Sequence, residues 1–302
     1  MRELTNDRPH TLIVQWDVTT VCNYDCWYCL PSLKDGRYRW PSDASAFLDL
    51  FNFLAETRDV HLDLRGGEPT LWPKLPEFIR QLDPRIEVHT HTNGSRTIEW
   101  WSRNVDLFDS VAISFHPNTA DPDHLLDVVR VLSDKMYVSV NIMAEKSKLD
   151  VVVEVYNRLL GSGYPVNVRT NPLSNRTGSD NHDMFCIDEE YRNFLKDYRF
   201  KTNRPDPNRL KPTKVYVDGE KYDNQIQNTL RGGNFKGWTC SAGINRIYIK
   251  ADGSIYRGTC EVGGKIGDVY VDTNLDNLTG IVCTSNRCGC VDERSVTKYL
   301  PS

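Results

Sequence analysis

The chain has 302 residues, 39% hydrophobic and 26% charged, enough for one large α/β domain with a small appended unit. With 37 Lys and Arg against 41 Asp and Glu, the formal net charge is −4, which supplies no basic field to hold nucleic acid or an anionic membrane. No apolar run approaches the roughly 20 residues that cross a bilayer, and the polar start, Met1 to His10, has no secretory h-region, so a cytoplasmic location is expected and the nine cysteines are expected to serve metal or redox chemistry.

From Leu12 to Arg169 a short β-branched strand, ended by polar residues and followed by a helical stretch, recurs along the chain. Strands are predicted over 12–18, 60–65, 86–92, 111–115, 136–143 and 165–170, with helical spacing over 43–57, 73–82, 97–104, 122–133 and 148–160. Such alternation is the pattern of a parallel βα array. Each strand also alternates with period two: Leu12, Val14, Trp16 and Val18 oppose Gln15, Asp17 and Thr19, and Leu62 and Leu64 oppose His61, Asp63 and Arg65. Glu87, His89, His91 and Asn93 oppose Val88, and the last three strands set Ser114, Ser139, Asn141, Asn167 and Arg169 against Val, Ile and Phe. A doubly wound sheet, covered on both faces, would read as continuous apolar runs. One greasy and one polar face predicts strands curved into an open, partial (β/α)6 TIM-like barrel, with helices outside and a wet lumen inside.

Beyond Asn171, residues 172–186 are turn-rich, 188–198 suit a short helix, and Thr202 to Pro212 reads as a linker with three prolines. Asp218-Gly219 and Asp252-Gly253, each beside alternating residues, predict hairpins in a strand-and-turn C-terminal region.

Cys22-Asn-Tyr-Asp-Cys26-Trp-Tyr-Cys29 follows the first strand. Three thiolates in eight residues can wrap one metal centre; the spacing alone leaves an iron–sulfur cluster, a structural zinc and incidental thiols open. Gly66-Gly67-Glu68-Pro69 ends the second strand and would, by itself, read as a turn. Thr92-Asn93-Gly94 ends the third strand, and Ser114 and Asn141 stand at the ends of the fourth and fifth.

Taken in this order over about 170 residues, these motifs resemble the radical SAM superfamily. The resemblance implies a [4Fe-4S] cluster on Cys22, Cys26 and Cys29, with Tyr28 at the family's aromatic position. Three cysteines leave one iron open for an outside ligand, which in the family is S-adenosylmethionine. Gly66 and Gly67 would let backbone approach that ligand, and Glu68, ionised, would accept from its ammonium. Asn93, Ser114 and Asn141 stand where the family holds the rest of it, and Arg169 or Arg65 could clamp its carboxylate or a substrate anion, or serve in salt bridges. The implied chemistry is reductive cleavage to a 5′-deoxyadenosyl radical that takes a hydrogen atom from substrate, with a flavodoxin- or ferredoxin-like electron donor.

Cys240, Cys260, Cys283, Cys288 and Cys290 fill the last quarter of the chain. Cys240 and Cys260 flanking a hairpin, with a terminal group, resemble the Twitch domain, a shortened relative of the SPASM domain carrying one auxiliary [4Fe-4S] cluster. The match departs in two places: Gly253 lies seven residues before Cys260, and no Cys-x-x-Cys ends the chain. A zinc ribbon is the other reading, although its paired Cys-x2-Cys knuckles are absent from the sequence. Four of the five would be ligands, with the choice of two among Cys283, Cys288 and Cys290 open. The expected partition is a barrel over 1–172, a bridging region over 173–236 and a small β-hairpin/α iron–sulfur domain over 237–302.

His89, His91 and His116 occupy lumen positions as acid–base groups or as simple hydrogen-bonders. Cys186 is either a hydrogen-atom donor to a substrate radical or a packing residue. The hydrophilic lumen favours a polar small molecule, sugar- or aminocyclitol-like, undergoing oxidation or rearrangement. Peptide modification is the alternative, with only about a dozen residues before the first strand and hence no room there for a fused strand-adding recognition domain. A zinc-stabilised scaffold or binding protein is the non-enzymatic reading.

Overall fold

The computed structural model describes residues 3–6, 10–173, 189–198, 200–203, 215–222, 234–273, 275, 278–286, 288 and 296–300; Cys186 and Cys290 fall outside them. In chain order the elements are β1 (Glu3–Asn6), β2 (Thr11–Thr19), α1 (Ala44–Thr57), β3 (Asp59–Gly66), α2 (Leu75–Ile79), β4 (Glu87–Thr92), α3 (Ile98–Asn104), β5 (Ser110–Phe115), α4 (Pro122–Ser133), β6 (Tyr137–Ala144), α5 (Leu149–Gly161) and β7 (Val166–Pro172). They continue as α6 (Glu189–Asp197), β8 (Lys201–Thr202), β9 (Val215–Val217), β10 (Glu220–Tyr222), β11 (Thr239–Cys240), β12 (Arg246–Ile249), β13 (Ser254–Tyr256), β14 (Lys265–Asp268), β15 (Ile281–Val282) and β16 (Lys298–Tyr299).

Strands β2 to β7 lie side by side in chain order, each parallel to the next, as the βα alternation requires. The helices start where the sequence supplies caps. Asp43 accepts from the backbone N–H of Ser45 before α1, Thr97 from that of Trp100 before α3, and Asp121 from that of Asp123 before α4, whose first residue is Pro122. Helix α2 is shorter than the 73–82 expected from periodicity, spanning Leu75–Ile79 with turns around it, in a segment where Pro73, Pro76 and Pro84 limit continuous helix.

The apolar face of every barrel strand packs on the helices. Leu12, Val14, Trp16, Leu62, Leu64, Val111, Ile113, Val138, Val140, Val166 and Val168 are all buried in one core with Phe47, Phe51, Leu125, Val129, Val155 and Leu159. Trp16 is its aromatic centre, with its ring 4.4 Å from Phe47 and 5.3 Å from Phe78.

Sheet continuity beyond the barrel was not visible in the sequence. β12 pairs in parallel with the free edge of β2, Arg246 opposite Ile13 and Ile249 opposite Trp16, and β13 and β14 extend the same ten-stranded sheet. The hairpins expected at Asp218-Gly219 and Asp252-Gly253 are β9–β10 and β12–β13. A second sheet, ordered β10-β9-β1-β16-β11-β15, binds the start of the chain to its end, with β1 between β9 and β16. No helix among the described residues is long and apolar enough to cross a membrane.

Candidate functional site

The first three cysteines occupy the loop that leaves the carboxyl end of β2. Backbone bonds from Gly67 N to Thr19 O and from Glu68 N to Val21 O, both 2.8 Å, lash this loop to the end of β3. Thr19 Oγ1 holds it from the other side, donating to Arg39 O at 2.6 Å and accepting from Val21 N at 2.9 Å. The approach is so close that a Cβ on Gly66 would lie 2.3 Å from Thr19 O, and one on Gly67 2.2 Å from Val21 O. The two glycines are thus required by the meeting of two backbone segments of this chain, and Gly66 also has φ of 118°, a value that side chains disfavour.

Cys22, Cys26 and Cys29 are partly buried and not joined in disulfides. Cys22 Sγ accepts from Tyr24 N at 3.4 Å and faces Asn93 Nδ2 at 3.9 Å; Cys26 Sγ lies 3.3 Å from His116 Nδ1. Burial pushes the Cys22 and Cys26 thiols up, and each thiol's neighbouring cysteine adds to the rise. Thiols whose anions would repel one another, with N–H groups turned toward the Cys22 sulfur, suit a metal centre, which supplies the positive charge that makes them thiolates. His116 is not positioned as an independent lumen group. Its ring stacks on Tyr28 at 5.8 Å, its Nδ1 lies 2.6 Å from the Tyr28 hydroxyl, and burial lowers it to about 4, so it backs the cysteine loop as a neutral imidazole.

Glu68 is buried and saturated with donors from the chain itself. Its Oε1 accepts from Thr70 Oγ1 at 2.6 Å, Thr92 Oγ1 at 2.7 Å and Thr70 N at 3.1 Å, and its Oε2 from Asn93 N at 2.6 Å. Burial pushes its carboxyl up against the pull of these donors. Glu68 therefore ties the carboxyl end of β4 to the Gly-Gly-Glu-Pro turn and sets Asn93, whose Nδ2 donates to Asn23 Oδ1 at 2.8 Å, against the cysteine loop.

Strand register assembles the rest. Ser114, Asn141 and Arg169 are consecutive ladder partners across β5, β6 and β7, forming one row on the polar face. Lower on that face Asp63 pairs with His89 in the β3–β4 ladder, with His91 one position above on the same side. Arg65 Nε lies 3.8 Å from Asp63 Oδ2, which makes it an ion-pair partner here. The alternation marked Asp63, Gln15 and Asp17 as polar-face residues without giving them a role. The structure joins them to the C-terminal strand: Arg246 Nε donates to Gln15 Oε1 at 3.2 Å, Gln15 Nε2 to Asp63 Oδ2 at 3.4 Å, and Tyr248 to Asp17 Oδ2 at 2.5 Å.

Of the C-terminal cysteines, Cys240 lies on β11 and pairs with Ile281, two residues before Cys283. Cys288 is buried with Leu4, Phe235 and Trp238, and Cys283 packs against this group. Cys260 is exposed in the loop after β13, a loop whose Gly263 abuts Ile281. Cys240, Cys283 and Cys288 are thus linked through Trp238 and Ile281, with Cys283 N donating to Trp238 O at 2.8 Å, and the Cys260 loop reaches the same Ile281; the chain then enters β12 at the amino end of β2, where Asn245 O accepts from Ile13 N at 3.0 Å.

The model of the Radical SAM superfamily matches residues 16–183. Among curated proteins, an S-adenosylmethionine-dependent nucleotide dehydratase of Thermoplasmatales archaeon (strain ISO4-H5) is 31% identical over 97 residues, 31% of this chain and 33% of that protein. A GTP 3′,8-cyclase of Psychromonas ingrahamii is 28% identical over 164 residues, 46% of each chain. The matches thus span between a third and a half of these relatives' length. Among solved structures, Streptococcus suis SuiB bound to precursor peptide SuiA superposes with a TM-score of 0.55 at 13% identity, over 89% of this chain and 64% of that one. Native anSMEcpe with bound AdoMet and Cp18Cys peptide gives 0.55 at 18%, over 89% and 81%.

Proposed function

The chain belongs to the radical SAM superfamily, enzymes that use a [4Fe-4S] cluster with S-adenosylmethionine, and we propose that this one abstracts a hydrogen atom from a polar small molecule, of which a nucleotide is the first class to try. The cluster and its ligand supply, when bound, the one-electron cleavage that yields a 5′-deoxyadenosyl radical. Everything else falls to the chain. Cys22, Cys26 and Cys29 hold the metal; Glu68 and Asn93 shape the wall beside it; the row Ser114, Asn141 and Arg169 offers hydroxyl, amide and guanidinium groups to the bound S-adenosylmethionine or to an anionic substrate group.

The observation that carries the small-molecule reading is the polar lining of the lumen. Gln15, Asp17, Asp63, Arg65, His89, His91, Asn141 and Asn167 line one strand face, and Arg246 and Tyr248 join them from β12. Such a dense set of donors and acceptors suits a highly functionalised ligand. The named activities of the two sequence relatives point to nucleotides, while the peptide-bound fold neighbours give peptide modification as the second reading. We assign Cys240, Cys260, Cys283 and Cys288 to an auxiliary four-iron cluster, a reading supported by the contacts that link Cys240, Cys283 and Cys288 and by the approach of the Cys260 loop to Ile281.

Protein reconstituted with iron and sulfide without oxygen, then reduced with dithionite, should form 5′-deoxyadenosine from S-adenosylmethionine, and the Cys22→Ala/Cys26→Ala/Cys29→Ala variant should form none. Nucleoside triphosphates should raise that rate and yield a modified nucleotide by mass spectrometry. Stimulation by a ribosomally made peptide, with nucleotides inert, would decide for the second reading.

A further inference from the structure

The polar face carries a cluster that neither the cysteine loop nor the cofactor row uses. Among the described residues, Asp63, His89 and His91 form the group in which three ligand atoms lie mutually within 4.8 Å. We propose that these three residues bind a divalent first-row transition-metal ion, a site separate from both cysteine groups.

The ladder builds the arrangement. Asp63 on β3 and His89 on β4 are direct partners, and His91, two residues on, projects from the same face. Asp63 Oδ1 is buried, accepts no hydrogen bond, and faces Nε2 of His91 at 3.3 Å and Nε2 of His89 at 3.9 Å. Two ligand atoms each ~2.1 Å from one ion at the tetrahedral angle stand ~3.4 Å apart, so small side-chain rotations bring all three to bonding distance. A buried carboxylate oxygen that faces two imidazole nitrogens, 3.3 Å and 3.9 Å away, without a well-formed hydrogen bond is placed to share a cation with them when the rings are neutral.

Supporting contacts hold the ligands in place, as metal sites require. Asp63 Oδ2 is taken by Gln15 Nε2 at 3.4 Å and by Arg65 Nε at 3.8 Å, which leaves Oδ1 for the ion. His89 Nδ1 lies 2.5 Å from Ser110 Oγ, which fixes the ring with Nε2 toward the cluster, and the His61 ring stacks on its far face at 5.8 Å. Two imidazoles and a carboxylate suit zinc, iron or a similar ion. Of the three side chains His91 is the most exposed, 32% against 16% and 7%, so the remaining coordination positions open to the lumen, where a substrate hydroxyl or phosphate oxygen could enter.

The test uses zinc alone and reads no enzyme activity, so it stands or falls apart from the proposed function. Anaerobically reconstituted protein is incubated with three equivalents of Zn2+, desalted, and its metals counted by mass spectrometry. One retained zinc per chain is expected, with an X-ray absorption edge showing nitrogen and oxygen neighbours and imidazole scattering. In His89→Gln/His91→Gln, affinity in competition with a zinc-binding dye should fall at least tenfold, in line with the loss of two ligands. No retained zinc, an unaltered affinity in the double variant, or sulfur neighbours near ~2.3 Å, the mark of cysteine ligation, would overturn the site; the absorption result needs no variant to fold.

Discussion

At the scale of single residues, Gly67 shows how a motif residue can be constrained by the chain rather than by a ligand. Alanine there drives a methyl carbon to 2.2 Å from Val21 O, a backbone atom that cannot swing aside. Gly67→Ala should therefore cost ~1–3 kcal/mol as an overpacked site, and displace the segment that presents Cys22. Iron retained after reconstitution and the thermal midpoint should both fall, and unchanged values in both would contradict the steric argument. Asp17 makes a second case, in electrostatics. Burial raises its carboxyl, while the bond from Tyr248 and the charge of Arg65 oppose the rise. A raised carboxyl contributes its stability in full below the unfolded value and loses it as pH climbs through the folded one. Removing the donor in Tyr248→Phe raises the group further, so the variant's deficit, ~1.5–3 kcal/mol for a hydrogen bond to a charged group, should widen from pH 5 to pH 8. Denaturant unfolding at the two pH values checks this; a gap that narrows as pH rises has the wrong sign.

At the scale of elements, the six barrel strands were legible because each has one face against helices and one against water, and period-two alternation records that difference directly. The helices were legible through Asp43, Thr97 and Asp121 at their starts. Lateral pairing leaves no such record. Nothing in the alternation of β3 or β4 states that Asp63 sits beside His89, and the four-residue β1 and two-residue β16 are too short to show a period. The edge pairing of β12 was hidden for the same reason, though its buried Ile247 and Ile249 make it as much a barrel strand as β2. Ile249→Ala, at a fully buried site, should cost ~2–4 kcal/mol, and hydrogen exchange at β2 amides should quicken because their neighbouring strand is loosened. The exposed Val282→Ala serves as a control and should stay within about 0.5 kcal/mol of the parent. If Ile249→Ala left β2 protection untouched, β12 would be an independent appendage.

At the scale of the whole molecule, the parallel pairing of β12 with β2 fixes which end each cysteine group occupies. Cys22, Cys26 and Cys29 follow the carboxyl end of β2, whereas Cys240 precedes β12, whose Arg246 is level with Ile13 near the amino end. Six residue steps of strand lead from Ile13 to Thr19, ~20 Å at 3.3 Å per step, and the polar face runs between. Two centres so placed would be far enough apart to be lost independently, which iron counting can read. The parent protein should hold about eight irons, the sum of two four-iron clusters. Cys240→Ala/Cys283→Ala removes two thiols of the C-terminal region and should leave about four, as should the triple variant of the first group. Removing Cys283 also takes away a side chain packed against the small core of Leu4, Phe235, Trp238 and Cys288, beside the sheet that joins the chain's ends. A metal there would therefore contribute folding free energy, so the double variant should lose thermal stability along with its iron. A parent protein with only four irons, all lost in the triple variant, would leave the C-terminal cysteines without a cluster and remove that assignment.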